Sequence, residues 1–283
     1  MQNRIEKKFV QLKENKKKAL ACFVTSGDPN LEFSEKIIKS LPKFGADIIE
    51  IGIPFSDPMA DGPTIQRSSL RAINAGINIS KTLKIVKNFR KEDNSTPIIL
   101  MGYFNPIYQF GLKKFFSNCN NLGVDGLIIV DLPPEEDDLI QNLTIKNNIH
   151  NIRLIAPTTE INRVKKIAAS SKGFLYYVSV MGITGTKKPS IESVKRSVSS
   201  IKKYTNLPIL VGFGINSYSQ IKKLNQFSEG CVVGSAIIKI IEESKKKEMT
   251  NQKILTNINK FLIKLKKKII FYNYELDNKF CKT

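Results

Sequence analysis

The sequence predicts an α/β fold, a (β/α)8 or TIM barrel, and three observations lead to that prediction. Eight short apolar runs rich in β-branched residues recur along the 283 residues, and each is typical of a buried strand. Amphipathic stretches with helical spacing lie between them, so the strands are expected to be parallel and joined by crossover helices. Eight such units fill a barrel of about 250 residues.

An open, doubly wound sheet is the alternative arrangement of the same units. Such a sheet usually carries a glycine-rich turn after its first strand. Here the first turn, TSGDPN, has one glycine, and the glycines are concentrated in the last units of the chain. We therefore expect the barrel.

The predicted strands are the eight apolar runs, ALACFVT (19–25), DIIEIGI (47–53), PIILMGY (97–103), GLIIVD (126–131), NIRLIAP (151–157), FLYYVSV (174–180), PILVGFG (208–214) and GCVVGS (230–235). Helices are predicted between them from amphipathic spacing, at 31–43, 80–92, 108–121, 135–147, 160–170, 190–203 and 217–225, and in SAIIKIIEESKKK after the last strand.

Two further helices are predicted outside these units, at about 2–14 and at about 251–268. Residues 1–268 contain no linker and no break in composition, so we expect a single barrel domain. The tail, 269–283, is expected to fray.

The composition limits the class of protein. The net charge is +20, but the lysines are spread along the whole chain and no motif combines basic residues with base-stacking aromatics. No apolar run is typical of a signal peptide or approaches the roughly 18 residues of a membrane span. The four cysteines are far apart and form no CxxC pair, which suits a reducing cytosol. We expect a cytoplasmic protein that binds neither nucleic acid nor membrane.

Glycines near the ends of the last strands indicate a phosphate site. Barrel enzymes carry their function at the carboxyl ends of the strands and often bind phosphate after strands 7 and 8. Gly212 and Gly214 follow the seventh predicted strand, and Gly234 and Ser235 open the helix after the eighth. Their amides and the helix N-terminus can hold an anion, although tight turns alone would also explain these glycines.

Two carboxylates, Glu50 in the second predicted strand and Asp61 in the loop that follows, are the candidate chemical groups. Metal-assisted chemistry and a Ser-His-Asp triad both need histidine. The one histidine, His150, lies at the opposite end of the barrel and is expected at the surface. No predicted strand contains a lysine for a Schiff base. Paired carboxylates carry out proton transfer, but they also hydrolyse glycosides, so the pair alone does not decide.

A set of motifs carries a family resemblance: FVTSGDP, IEIGIPFSDPMADGPTIQ, MGYFNP, GVDGLIIVDLPPEE, GITGT, VGFGI and VGSAI. Together they resemble the α subunit of tryptophan synthase, in order, from about residue 5 to 265. The resemblance implies a lyase of tryptophan biosynthesis that cleaves indole-3-glycerol phosphate to indole and glyceraldehyde 3-phosphate. It implies that Glu50 transfers the protons and that Asp61 accepts a hydrogen bond from the indole N–H, with no metal and no cofactor in this chain.

The resemblance also implies the residues that bind the substrate. The phosphate ligands would be Gly185, Gly214, Gly234 and Ser235, and the indole pocket Phe23, Leu100, Tyr103, Ile128, Tyr176 and Phe213. Tyr176 would support Glu50, and Thr184 would close over Asp61, with the loops at 54–62 and 180–190 as lids. For Phe23, Leu100 and Ile128, packing in the barrel core is an equally good explanation.

The partner implied by the resemblance is the β subunit of tryptophan synthase, which uses pyridoxal phosphate, in an α2β2 complex that passes indole between subunits. The loop at 53–58 and the segment around Asn105 and Pro106 would form the contact surface. Three other functions remain open. They are an activator of the β subunit with weak catalysis, a sister barrel enzyme acting on another small phosphorylated substrate, and a basic barrel that binds nucleic acid.

Overall fold

The computed structural model describes residues 2–179 and 190–266. Within them, nine parallel strands form one sheet. Numbered in chain order, they are β1 (Ala19–Thr25), β2 (Ile48–Gly52), β3 (Ile98–Gly102), β4 (Gly126–Ile129), β5 (His150–Asn151), β6 (Arg153–Ile155), β7 (Leu175–Val178), β8 (Ile209–Gly212) and β9 (Gly230–Val233).

The sheet closes into a ring through its fifth strand. The order of the strands is β5-β4-β3-β2-β1-β9-β8-β7-β6, so that β5 pairs with β4 and β6 pairs with β7. Only Ile152 separates β5 from β6 along the chain. The strand expected at 151–157 is therefore two segments that change partner where the ring closes, and the predicted (β/α)8 barrel is confirmed.

Helices cover the outside of the ring. They are α1 (Arg4–Glu14), α2 (Leu31–Ser40), α3 (Pro63–Asn74), α4 (Ile79–Arg90), α5 (Phe104–Phe110), α6 (Leu112–Leu122), α7 (Gln141–Lys146), α8 (Ile161–Ser170), α9 (Ile191–Ile201), α10 (Tyr218–Leu224), α11 (Ser235–Lys246) and α12 (Asn251–Lys266). The helices expected at 2–14 and 251–268 correspond to α1 and α12. Among the described residues, no helix has the length and apolar character needed to span a membrane.

Helix α3 is an addition that the sequence analysis missed. It begins directly after the loop that carries Asp61, with Gly62 as its N-cap and Pro63 as its first residue. Pro is favoured in the first turn of a helix because its missing N–H would have no intrahelical acceptor there. The Gly-Pro step was therefore the available signal for a helix start.

Two other predicted helices are divided. The stretch expected at 108–121 is α5 followed by α6, and Gly111 separates them with a φ of 92°. That left-handed conformation suits glycine and interrupts the helix. The stretch expected at 135–147 is a 3-10 helix, Pro134–Leu139, followed by α7.

Alternation along the strands sorts the core into two layers. In β1, Leu20, Cys22 and Val24 pack against the surrounding helices, whereas Ala19 and Ala21 face the interior of the barrel. Successive strand residues point to opposite faces, and closure of the ring makes one of those faces the interior. Any residue on a strand is therefore either in the outer layer or inside the barrel.

Helix α1 closes the amino end of the barrel. Ile5 is fully buried, and its side chain fills the space beside two glycines. A Cβ added to Gly126 would lie 3.1 Å from Ile5 Cδ1, and one added to Gly173 would lie 3.2 Å from Ile5 Cγ2. The interior is consequently accessible from the carboxyl end.

An ion cluster strengthens the same closed end. The Asp125 carboxylate, which immediately precedes β4, accepts hydrogen bonds from Arg4 at 2.9 Å, from Arg90 at 2.8 Å and from the amide of Ile98 at 2.8 Å. Charge-assisted bonds to a buried carboxylate are stronger than neutral ones. The cluster joins α1, α4, β3 and β4 far from the carboxyl ends of the strands.

His150 corrects one expectation. It lies at the amino end of the barrel, as expected, but it is buried rather than at the surface. Its Nε2 is 3.7 Å from a carboxylate oxygen of Glu6 on α1. The covering helix is the reason, because it lies over an end of the barrel that the strand pattern alone would leave exposed.

Candidate active site

Glu50 lies at the centre of β2 with its side chain inside the barrel. Its neighbours Ile49 and Ile51 pack on the helix side, and alternation turns Glu50 the other way. It is fully buried, and neither carboxyl oxygen has a hydrogen-bond partner among the described residues. Burial raises the pKa of Glu50 from 4.5 to about 8, because the charged form loses its hydration. The carboxyl group is therefore largely protonated at neutral pH.

Asp61 reaches the site from the loop after β2. Its amide donates to the carbonyl of Pro58 at 3.0 Å, and the neighbouring amide of Ala60 donates to the Tyr103 hydroxyl at 3.0 Å. Burial raises the pKa of Asp61 from 3.8 to about 6, although a hydrogen bond from Tyr103 opposes the shift. Asp61 is thus largely ionised at neutral pH, where Glu50 is not.

Tyr176 on β7 lies near both carboxyl groups. Burial raises the pKa of its hydroxyl well above the usual value, and the charges of Glu50 and Asp61 raise it further. Such an effect requires that the charges be close to the hydroxyl. The phenol therefore keeps its proton and lies within electrostatic reach of both carboxyl groups.

A cavity of about 960 Å³ opens at the carboxyl ends of the strands. Eight of the residues that the sequence analysis named line it, and they are Phe23, Asp61, Tyr176, Gly212, Phe213, Gly214, Gly234 and Ser235. Apolar side chains from the strands and their ends form much of the remaining wall, among them Met101, Ile129, Val130, Leu154, Val178 and Val232, and Asp131, Arg153 and Arg163 also line it. The cavity therefore has an apolar wall with a carboxylate at one side and a helix N-terminus at another.

Glycines on the strands make room for two aromatic rings beside the cavity. A Cβ added to Gly52 would lie 2.6 Å from the Phe23 ring, and one added to Gly212 would lie 2.8 Å from the Tyr176 ring. Real Cβ atoms do not approach other atoms so closely, so any side chain at these positions would displace a ring. The glycines thus let Phe23 and Tyr176 lie flat against neighbouring strands and leave the centre open.

The helix α11 presents its N-terminus to the cavity. Ser235 is its first residue and Gly234 its N-cap, and both line the cavity together with Gly214. The first amides of a helix have no acceptor in a preceding turn and carry the positive end of the helix dipole. Gly214 has a φ of 60° and open space where a side chain would lie. This side of the cavity is suited to an anion.

No cluster of three or more His, Cys, Asp or Glu side chains that could hold a metal ion occurs in the described parts of the chain.

The fold has counterparts among known proteins. The chain matches the family model described as tryptophan synthase alpha chain over residues 9–268. The chain belongs to the tryptophan synthase alpha chain family. A structure of tryptophan synthase subunit alpha from Legionella pneumophila str. Paris is 38% identical, with a TM-score of 0.86 over 94% of this chain and 97% of that one.

More distant relatives have the same fold. A chain of the tryptophan synthase complex from Pyrococcus furiosus is 34% identical, with a TM-score of 0.78 over 87% of this chain and 97% of that one. A chain of tryptophan synthase from M. tuberculosis in an aminoacrylate-bound form is 27% identical, with a TM-score of 0.82 over 93% of this chain and 98% of that one. Members of this family are lyases.

The expectation that Leu100 lines the indole pocket is corrected by its position on β3. Leu100 is buried in the outer layer, between the sheet and the helices. The adjacent residue, Met101, points into the barrel and lines the cavity. The reason is the alternation of strand side chains, since a shift of one residue changes the face.

The other expected pocket residues lie close to the cavity without lining it. Ile128 belongs to the barrel interior at a deeper level. Tyr103 is buried and directs its hydroxyl to the loop that carries Asp61. Glu50 lies next to Phe23 in the register of β1 and β2. Thr184 and Gly185 lie outside the described residues.

The sequence analysis missed the apolar wall residues, among them Met101, Val130, Leu154 and Val178. The register of the strands, which the sequence does not show, identifies one of them. Glu50 pairs with Ile99 in the register of β2 and β3, and Met101 is two residues further along the same face. Without that register, Val130, Leu154 and Val178 cannot be distinguished from ordinary core residues.

Replacement of Glu50 by Gln is expected to change the pH dependence of stability. Because the folded state holds the Glu50 proton more tightly than the unfolded state does, wild-type stability falls as the pH rises from about 4.5 to about 8. Gln has no proton to lose. One pKa unit corresponds to about 1.4 kcal/mol, so the variant should gain a few kcal/mol relative to wild type between pH 5 and pH 9.

Urea unfolding at the two pH values measures this difference. Glu243→Gln on α11 provides a control for the same substitution at an exposed position. If the free energy of unfolding of Glu50→Gln differs from that of the wild type by the same amount at pH 5 and pH 9, the raised pKa of Glu50 is contradicted.

Proposed function

We propose that this member of the tryptophan synthase alpha chain family cleaves indole-3-glycerol phosphate with Glu50 and Asp61 as its catalytic pair. The products are indole and glyceraldehyde 3-phosphate, in a retro-aldol reaction. The observation that supports the pair most strongly is the buried, unpartnered Glu50 carboxyl beside a cavity whose wall contains Asp61.

Glu50 carries the proton that the reaction needs. A carboxyl group with a pKa of about 8 is protonated at neutral pH and delivers its proton to carbon 3 of the indole. The resulting carboxylate then removes the proton from the hydroxyl on the side-chain carbon attached to the ring. The bond between that carbon and carbon 3 breaks, its electron pair returns to the indole ring, and the hydroxyl oxygen becomes the aldehyde oxygen. Glu50 finishes protonated, as it began.

Asp61 stabilises the charge that develops on the ring. Protonation of carbon 3 places positive charge on the indole nitrogen, and an ionised carboxylate that accepts its N–H lowers the energy of that state. The Tyr103 hydroxyl holds the neighbouring amide of Ala60. Tyr176 faces both carboxyl groups and donates to the Glu50 carboxylate when the proton has left it.

The substrate phosphate binds at the start of α11. The amides of Gly234 and Ser235 and the dipole of the helix supply the attraction, which is common at helix N-termini. Gly214 allows the backbone to approach closely from the loop after β8. Gly185 would add a further amide, and Thr184 would close over Asp61. The apolar wall, including Phe23, Met101 and Phe213, receives the indole ring.

The partner proposed for this chain is a tryptophan synthase β subunit, in an α2β2 complex. Family membership implies a complex with that subunit, and one relative is a tryptophan synthase complex from Pyrococcus furiosus. Met59, at the tip of the Asp61 loop, is 67% exposed, and Tyr108 on α5 is 56% exposed. These two side chains lie on or next to the segments expected to meet the partner, and they are available for such a contact. Pyridoxal phosphate would belong to the β subunit, since the proposed proton transfers use side chains only.

Glu50→Gln is expected to abolish indole release from indole-3-glycerol phosphate, because the shape of the side chain is kept and the proton carrier is lost. Loss of general acid–base catalysis lowers kcat by about 100-fold or more, while KM should change little. Asp61→Asn should be nearly as damaging. Indole release is measured for the wild type and both variants.

The same assay tests the β subunit. Addition of a β subunit from the family should speed release from the wild-type chain and leave Glu50→Gln inactive. Undiminished turnover by Glu50→Gln would refute its role as the proton carrier. Absence of release by the folded wild type, with and without the partner, would favour the activator or the sister enzyme.

The pH dependence of kcat/KM is expected to be bell-shaped. Activity falls below about pH 6, where Asp61 is protonated, and falls above about pH 8, where Glu50 loses its proton. Initial rates from pH 5 to pH 9.5 measure both limbs. A rate that continues to rise above pH 9 would show that Glu50 is not needed in its protonated form.

Met101→Ala and Leu100→Ala form a matched pair on β3. Met101 lines the cavity, so its truncation should raise KM by about 5-fold or more, as expected for loss of roughly 1 kcal/mol of apolar contact. Leu100 is in the outer layer, so its truncation should lower the free energy of unfolding by about 2–5 kcal/mol and leave KM unchanged. Steady-state kinetics and urea unfolding distinguish the two, and the reverse pattern would contradict the assignment of faces.

A further inference from the structure

An ion pair joins the loop after β1 to helix α3. The Asp28 carboxylate accepts two hydrogen bonds from Arg71, one from Nε at 2.7 Å and one from Nη2 at 2.8 Å. The side chain of Asp28 is fully buried, whereas that of Arg71 is 27% exposed. Two parallel bonds between a guanidinium and a carboxylate fix orientation as well as distance.

The pair continues to helix α11 through Glu242. Arg67, one turn before Arg71 on α3, donates to the two oxygens of Glu242 at 2.7 and 3.0 Å. Arg71 itself lies 3.5 Å from Glu242 through Nη1. Arg71 is therefore the residue that contacts both the β1 loop and α11. Arg71 thus joins α3 to α11, and the first residue of α11, Ser235, lines the cavity.

The Asp61 segment is continuous with α3. The carbonyl of Asp61 accepts a hydrogen bond from the Gln66 side chain at 2.9 Å. The carbonyl of Gly62 accepts the amides of Ile65 and Gln66 at 3.0 Å. A shift or rotation of the first turn of α3 would therefore move Asp61 as well.

Helix α3 buries no large apolar side chain completely, and Ile65 is partly buried against the core. Its buried residues are Ser68, Ser69 and Ala72, whereas α4 buries several large apolar side chains, among them Leu83 and Phe89. Small side chains contribute little hydrophobic stabilisation. Directional polar contacts therefore set the position of α3. They are the ion pair between Arg71 and Asp28 and the hydrogen bond between Ser68 and Thr25 at 2.6 Å.

We propose that Arg71 is a positioning residue, which, through its contacts with Asp28 and Glu242, holds α3 so that Asp61 lies against the substrate cavity. The inference rests on the proposed role of Asp61. Arg71 acts through the backbone rather than through its charge, since the pKa shift of Asp61 results from burial and from Tyr103. Loss of Arg71 leaves Asp28 buried without its guanidinium partner. Asp28 then takes up a proton or the β1 loop and α3 separate, and in either case the contact that fixes α3 is lost.

The test compares Arg71→Gln with Arg90→Gln. Arg90 forms a buried ion pair with Asp125 at 2.8 Å at the opposite, closed end of the barrel, so its loss reports the effect of destabilisation alone. We expect Arg71→Gln to lower kcat for indole release by about 10-fold or more and to move the acidic limb of kcat/KM to lower pH, because Asp61 becomes more hydrated. Arg90→Gln should lower the urea midpoint and leave kcat and the acidic limb unchanged.

Two further comparisons separate positioning from a general structural role. On an Asp61→Asn background, Arg71→Gln should cause no additional loss of kcat, because the group it positions is already absent. Arg71→Lys should recover part of the activity, since an ammonium group can still reach Asp28. If Arg71→Gln does not fold, Glu242→Gln is used instead, because it removes only the link between α3 and α11. Its acidic limb of kcat/KM should also move to lower pH, by a smaller amount.

The outcomes also separate this inference from the proposed function. Wild-type kcat and an unmoved acidic limb in Arg71→Gln, or in Glu242→Gln where the former does not fold, would overturn the positioning role. So would an equal loss of kcat on both backgrounds. Full activity of Asp61→Asn would instead refute the proposed role of Asp61, and with it the basis of the inference.

Discussion

A buried carboxyl group without a partner is the constraint on which the rest of the structure depends. Glu50 has no hydrogen-bond partner among the described residues, although it lies at the centre of a strand in a closed barrel. An ionised group there would be strongly unfavourable, so burial keeps the group protonated near neutral pH. A carboxyl that is neutral at rest and adjacent to a cavity can give a proton to a bound substrate and take one back.

The two ends of the barrel have opposite properties: the amino end is closed, and the carboxyl end is open. At the amino end, α1 places Ile5 in the barrel opening, and the Asp125 cluster joins four elements. This end of the barrel is therefore closed. At the carboxyl end, Gly52 and Gly212 let two aromatic rings lie flat and leave an open space. Stability is concentrated at one end, and access for a substrate at the other, as is general for this fold.

The second carboxylate depends on a different kind of contact. Asp61 is on a loop, and the helix that follows the loop buries only small side chains. Polar contacts to Asp28, Glu242 and Thr25 take the place of apolar packing there. Such contacts specify position well but contribute less to stability than a packed core.

The sequence by itself determined the order of the eight units and the two carboxylates, because both are visible in local patterns. Glu50 interrupts an apolar run, and Asp61 follows it in a loop. It named Leu100 where the structure has Met101, because both are apolar and only the pairing of β2 with β3 sets the face. The tertiary structure also decided that His150 is covered by α1 and that Arg71 meets Asp28, since these contacts join residues far apart in the chain and no local pattern encodes them.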